Sequence, residues 1–171
     1  MARETVRIEG LQGVLDMLKA LPPEIVSKAG GPVKFGLKKA ANVIKNEVKA
    51  NVRKIISEPN RDGLPTKSTG LLEESIIASR GKRPSSGNGE TFVVRVKRKA
   101  YTVSKNAKPV STPQVARLLE YGSEKLNPPQ PFIRPAFDSK KDEAVAVFVR
   151  ETTKRIEAVV KKLDRQKRSV A

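Results

Sequence analysis

The chain has 171 residues, enough for one modest core, and with 37% hydrophobic and only 4% aromatic residues that core has to be aliphatic. It holds no Cys and no His, which removes disulfides, thiolate and imidazole metal ligands and the usual general base, leaving only scattered carboxylates and lysines for chemistry. A net charge of +17, from 35 Lys and Arg against 18 Asp and Glu, predicts attraction to nucleic acid, anionic lipid or an acidic protein surface.

No apolar run is long enough to span a bilayer. Arg3 and Glu4 are not followed by an apolar h-region, so no secretory signal is expected, and cytoplasmic synthesis is the expectation. The low apolar share also predicts segments that order only against a partner.

In chain order, Thr5-Val6-Arg7-Ile8 alternates as a short strand stopped by Gly10. Leu11, Val14, Leu15 and Leu18 repeat at helical spacing until Pro22-Pro23, and a brief helical piece from Glu24 to Ala29 precedes Gly30-Gly31. Pro32 suits a first helical turn, where its missing N–H costs nothing. Val33, Leu37, Ala40, Ala41, Ile44, Val48, Val52 and Ile55 then give the longest amphipathic pattern, closed by Pro59. Its small residues Gly36, Ala40 and Ala41 allow another element to pack closely.

Residues 57–69 are rich in turn formers and read as an exposed loop. Ser68 or Thr69 can cap a short helix carrying Glu73 and Glu74, with Leu71, Leu72, Ile76 and Ile77 on its apolar side. Residues 80–90 read as a flexible basic loop. The clearest strand is 91–98, with Phe92, Val94 and Val96 on one face and Arg95 and Lys97 on the other. A lone strand buries nothing, so it is expected to pair with 5–8 and 101–103, or with a neighbouring subunit.

A polar loop over 104–113 leads to a short helix with Val115, Leu118 and Leu119, capped by Thr112 with Pro113 at its start. The Pro128-Pro129 and Pro131-Phe132 pairs read as a rigid connector that swings Phe132, Ile133 and Phe137 into the core, or as an extended ligand for a partner groove. Val145, Val149, Thr152, Ile156, Val160 and Leu163 form a second long stripe, from about Pro135 to Leu163. The expected fold class is α+β, two long amphipathic helices packed on a small antiparallel sheet with mobile polar loops. Residues 1–164 form a single domain in this reading, and 165–171 a basic frayed tail with Arg165, Lys167 and Arg168.

Between Arg80 and Lys108 the basic residues Arg80, Lys82, Arg83, Arg95, Lys97, Arg98, Lys99, Lys105 and Lys108 face one acid, Glu90. This block can serve as a subunit or partner surface, line a nucleic-acid path, or be a solvated hairpin. No helix-turn-helix or zinc module accompanies it, and Phe92 and Tyr101 are too few for a base-stacking platform. Glu120-Tyr121-Gly122-Ser123 could place a carboxylate beside a turn, but without a base or second carboxylate a structural use is favoured. Gly122 then stops a helix in a left-handed conformation, and a buried Glu120 needs an Arg or backbone partner. Gly63 lies in no phosphate-binding pattern, so no cofactor, nucleotide or metal is expected.

Three pieces together carry a resemblance. Thr69-Gly70-Leu71-Leu72-Glu73-Glu74-Ser75 is similar to a Gly-x-Leu-x-x-Ser signature. Glu120-Tyr121-Gly122-Ser123 is followed by Pro131-Phe132-Ile133-Arg134-Pro135-Ala136-Phe137 before a long helix. In this order the chain resembles the head–tail joining proteins of long-tailed phages, also called tail-completion, minor neck or minor tail proteins. It departs from them in a basic, proline-containing insertion around 103–114. The resemblance implies a non-enzymatic structural virion protein at the head–tail junction, one subunit of a sixfold homo-oligomeric ring. Its implied partners are tail-terminator, tail-tube and head-closure proteins, with nonspecific contact to passing DNA and no membrane. A nonspecific nucleic-acid-binding protein, or an assembly factor absent from the finished particle, stands as the alternative.

Overall fold

The computed structural model describes residues 31–56, 70–82, 90–101, 110–122 and 128–168, together with Gly13, Asp16 and Lys19. Its elements in order are α1 (Pro32–Ile56), α2 (Leu71–Ser75), β1 (Ile76–Arg80), β2 (Phe92–Val96), β3 (Ala100–Tyr101), β4 (Val110–Ser111), α3 (Thr112–Tyr121) and α4 (Ile133–Arg168). This is an α+β fold, with two long helices and a small antiparallel sheet, as the sequence pattern predicts. The chain divides into two compact units, one drawn from 1–40, 81–91 and 142–171, the other from 41–80 and 92–141.

The second unit holds an aliphatic core. Val48 and Val52 of α1 meet Leu72, Ile76, Ala116, Leu119, Phe132 and Ala136, and Phe132 is its one buried aromatic. Each fully buried branched side chain contributes about 1.5–3 kcal/mol relative to exposure, so this cluster dominates the unit's stability. Around it, Arg53 Nε donates to Glu73 Oε1 at 2.8 Å, joining α1 to α2. That hydrogen bond holds the Glu73 carboxyl below its ordinary value.

The short helix α2 begins later than the sequence suggests. Its N-cap is Gly70, at φ 68°, whereas Ser68 and Thr69, the expected caps, lie outside the described residues. It also ends sooner, because Ile76 and Ile77 belong to β1 rather than to its apolar side. The physical reason is pairing: β1 lies antiparallel to β2 with Ile76 opposite Val96 and Arg80 opposite Phe92. Two β-branched residues satisfy their backbone there, and the ladder continues where Lys97 N donates to Ser75 O at 2.7 Å. The strand over 91–98 therefore pairs with 76–80 and not with Tyr101, and residues 102 and 103 lie outside the described residues. Its alternation is as expected, with Phe92, Val94 and Val96 half-buried and Val93, Arg95 and Lys97 exposed.

Ala100–Tyr101 pairs instead with Val110–Ser111 in a separate two-stranded ladder. Thr112 is not the cap of α3. Ser111 is, and its N–H donates to Gln114 Oε1 at 2.8 Å. Thr112 is wholly buried and acts as a clasp, its Oγ1 donating to Lys97 O at 2.6 Å and accepting from Lys99 N at 3.0 Å.

In the first unit α1 and α4 approach closely. A Cβ added at Gly36 would overlap Thr152 Oγ1 and lie 3.1 Å from Phe148, which explains the small residue at this point of the stripe. Phe35 beside it faces the cations of Lys39 at 5.5 Å and Arg155 at 5.3 Å. Thr152 and Ile156 are buried and Val145 and Val149 half-buried, whereas Val160 is exposed. Helix α4 continues to Arg168, so Arg165 to Arg168 are helical rather than frayed. The expected strand at 5–8, the helical piece at 24–29 and the loop at 57–69 lie outside the described residues, as do most of the expected loops at 80–90 and 104–113. Within the helical repeat expected before Pro22, Gly13, Asp16 and Lys19 are helical and exposed, with Lys19 Nζ 3.7 Å from Asp16 Oδ1, and Leu11, Val14, Leu15 and Leu18 lie outside the described residues.

Candidate functional site

The two halves of the most specific motif meet at Glu120, in the second unit. Glu120 lies in the last turn of α3, 3% exposed, and its carboxylate closes over the first turn of α4. Oε2 accepts from Phe132 N and Ile133 N, both at 2.9 Å. Oε1 accepts from Arg134 N at 3.1 Å and Arg134 Nε at 3.0 Å. A further nitrogen of the same guanidinium donates to Glu120 O at 2.8 Å.

A carboxylate at a helix C-terminus is disfavoured by that helix's dipole. Here it lies at the N-terminus of α4, where free N–H groups and the positive dipole end favour it. Four charge-assisted bonds outweigh one unfavourable terminus. Burial alone pushes the Glu120 carboxyl up, but the amides of Ile133, Phe132 and Arg134 and the Arg134 side chain outweigh it, so the carboxyl sits below its ordinary value. The expected Arg and backbone partners of Glu120 are thus both present.

Neighbouring backbone bonds lock the crossing. Gly122 N donates to Leu118 O and Gln130 N to Leu119 O, each at 2.8 Å, and Asn51 Nδ2 reaches Phe132 O at 3.3 Å. Gly122 ends α3 at φ 78° and ψ −178°, a glycine-only region that is not the left-handed helical one. Phe132 and Ala136 are fully buried and Ile133 half-buried. Phe137 is exposed, contrary to the sequence expectation, because Ala136 lies one turn beyond Phe132 and Phe137 is about 100° further round. Pro131 and Pro135 are exposed.

The Gly-x-Leu-x-x-Ser signature is also structural. Gly70 starts α2, Leu71 at the variable position is half-buried, the signature's Leu72 is buried in the core, and the buried Ser75 donates its Oγ to Leu71 O at 2.6 Å at the turn into β1.

Beside Glu120 opens a cleft of about 300 Å³, lined by Val96, Pro113, Ala116, Arg117, Glu120, Tyr121, Ile133 and Arg134. Tyr121 is 68% exposed, with the Arg134 guanidinium 5.2 Å from its ring centre. Sequence reasoning passed over Arg117. Its signal was helical spacing, since Pro113, Arg117 and Tyr121 recur every fourth residue on one face of α3.

The basic residues are dispersed. Arg95, Lys97 and Arg98 are exposed along β2 and its continuation, and Arg80 is exposed at the end of β1. Lys99 is half-buried, its Nζ 3.3 Å from Glu74 Oε2. Lys82 is exposed and belongs to the first unit, and Arg83 and Ser123 lie outside the described residues. No group of His, Cys, Asp or Glu able to hold a metal ion occurs among the described residues, and none of their helices is long and apolar enough to cross a membrane.

A buried carboxylate spent wholly on fastening two helices defines a structural element rather than a reaction centre. Residues 17–122 match the family described as "Bacteriophage HK97-gp10, putative tail-component". The chain belongs to that family of phage tail components, a structural, tail-associated class. No curated protein and no solved structure matches it.

Proposed function

We propose that this chain is a tail-completion or neck subunit at the head–tail junction of a long-tailed phage, forming a sixfold ring that helps join the tail to the DNA-filled head. The family supports a phage tail component. The observation that carries the finer reading is the Glu120 fastening. It unites Glu120-Tyr121-Gly122 with Phe132-Ile133-Arg134, the motif pair on which the resemblance to head–tail joining proteins rests. Neighbours in this reading are tail-terminator, tail-tube and head-closure proteins.

Quantitative mass spectrometry of purified virions tests it, counting this chain against the major capsid and tail-tube proteins. About six copies per particle is the expected result for a closed cyclic ring. Absence from complete particles would leave an assembly factor. Exposed Arg95, Lys97 and Arg98 favour a second reading, nonspecific nucleic-acid binding. It predicts affinity for DNA that collapses as salt rises, through counterion release.

A further inference from the structure

We infer that the cleft between α3 and the start of α4 is a docking site for an acidic segment of another protein, one that inserts an apolar side chain between two arginines. This rests on the reading of the chain as a phage assembly subunit and names the chemistry of one partner.

The floor is apolar, formed by Val96, Pro113, Ala116 and Ile133. A volume of about 300 Å³ is at the lower end for binding pockets, room for one or two side chains. Its rim is cationic. Arg117 is exposed and has no ion-pair partner among the described residues. The Arg134 side chain stays 59% exposed even while bound to Glu120.

Glu120, the one acid among the described residues that line the cleft, balances the charge of Arg134, but both its oxygens already accept two N–H groups each, so it offers a ligand no open acceptor and the Arg117 charge stays uncompensated. The cleft therefore presents positive charge over an apolar floor. An acidic, apolar-tipped segment complements it. The basic surface of a second copy, with a net charge of +17, matches this cationic rim less well, so contacts between copies in the proposed ring lie on other surfaces.

The second argument is preorganisation. A long Arg side chain ordinarily loses rotamer freedom on binding. Arg134 has lost it already, held by Nε to Glu120 Oε1 and by a terminal nitrogen to Glu120 O, with its cation against the Tyr121 ring. Tyr and Arg are among the residue types that dominate binding hot spots, and here an exposed Tyr121 stands beside the held Arg134 around an apolar depression. The Glu120 fastening thus builds a recognition surface as well as a helix junction.

The test is site-specific photocrosslinking in infected cells, with Tyr121→p-benzoylphenylalanine, or Leu118→p-benzoylphenylalanine where the first does not support phage growth. The crosslinked peptide is sequenced. Expected is a net-negative peptide with a large apolar residue, from a protein other than this one. Arg117→Glu should cut its yield about tenfold, with the melting temperature of the purified protein unchanged. Crosslinking to a second copy, to nucleic acid or to nothing overturns the docking site, as does unchanged yield from Arg117→Glu. An acidic, apolar peptide from a protein absent from the virion upholds the docking site while counting against the neck position.

Discussion

At the scale of single residues, Glu120 links local sequence to tertiary structure. Glu120→Gln replaces one acceptor oxygen with an NH₂ group that meets N–H donors head-on. A loss of about 3 kcal/mol is expected, from charge-assisted bonds broken at a buried site, readable by urea unfolding. The pH dependence has a definite sign. Because the folded carboxyl titrates below its ordinary value, its contribution is complete above the unfolded value of about 4.3 and is lost as pH falls through the folded value. Melting temperatures between pH 7 and pH 3 should therefore fall more steeply in the native protein than in Glu120→Gln. Gly122→Ala forces a side chain onto φ 78° and ψ −178°, and should cost about 1–3 kcal/mol in the same unfolding measurement.

At the scale of elements, the close approach of α1 and α4 rests on Gly36. Replacing it with Ala raises helix propensity by about 1 kcal/mol, but the new Cβ overlaps Thr152 Oγ1 and crowds the Phe148 backbone carbonyl. Thr152 is buried and the Phe148 carbonyl belongs to the backbone, so packing outweighs propensity and Gly36→Ala should destabilise by about 1–3 kcal/mol. The Thr152 hydroxyl has no hydrogen-bond partner among the described residues. Thr152→Ala should consequently be tolerated, and the double variant should recover part of the loss. Equal losses in Gly36→Ala alone and in the pair would contradict this account, and a double-mutant cycle measures the difference.

At the scale of the whole molecule, the charge excess bears on assembly rather than on folding. Lys97 and Arg98 are exposed at the end of β2, whereas Lys99 is tied to Glu74. Charge reversal is therefore cleaner at the first two. Lys97→Glu with Arg98→Glu should leave the melting temperature within a few degrees of the native protein, since exposed charges contribute little to stability. Under the proposed junction role it should reduce tail attachment, counted by electron microscopy as tailless filled heads. Normal particle yield would show that this surface faces solvent.

The long helices were legible because apolar residues at three- and four-residue spacing define an amphipathic face whatever surrounds it, and the boundaries of α1 followed from Pro32 and the end of its stripe. Strand β2 was legible through its alternation. Its partner was not: Ile76 and Ile77 fit a helical face as well as a strand, and only pairing with Val96 and Arg95 decided between them. Likewise Thr112 has the side chain of a cap, but Lys97 and Lys99 captured its hydroxyl and Ser111 took the end of the helix. The sequence by itself determined the helix faces, the aliphatic core composition, the charge and the need for a partner to a buried Glu120. Tertiary structure alone decided which N–H groups that carboxylate receives, and that Arg117, Tyr121 and Arg134 surround one cleft. Periodicity acts within a segment, whereas these contacts join residues brought together by the chain's path from α3 into α4.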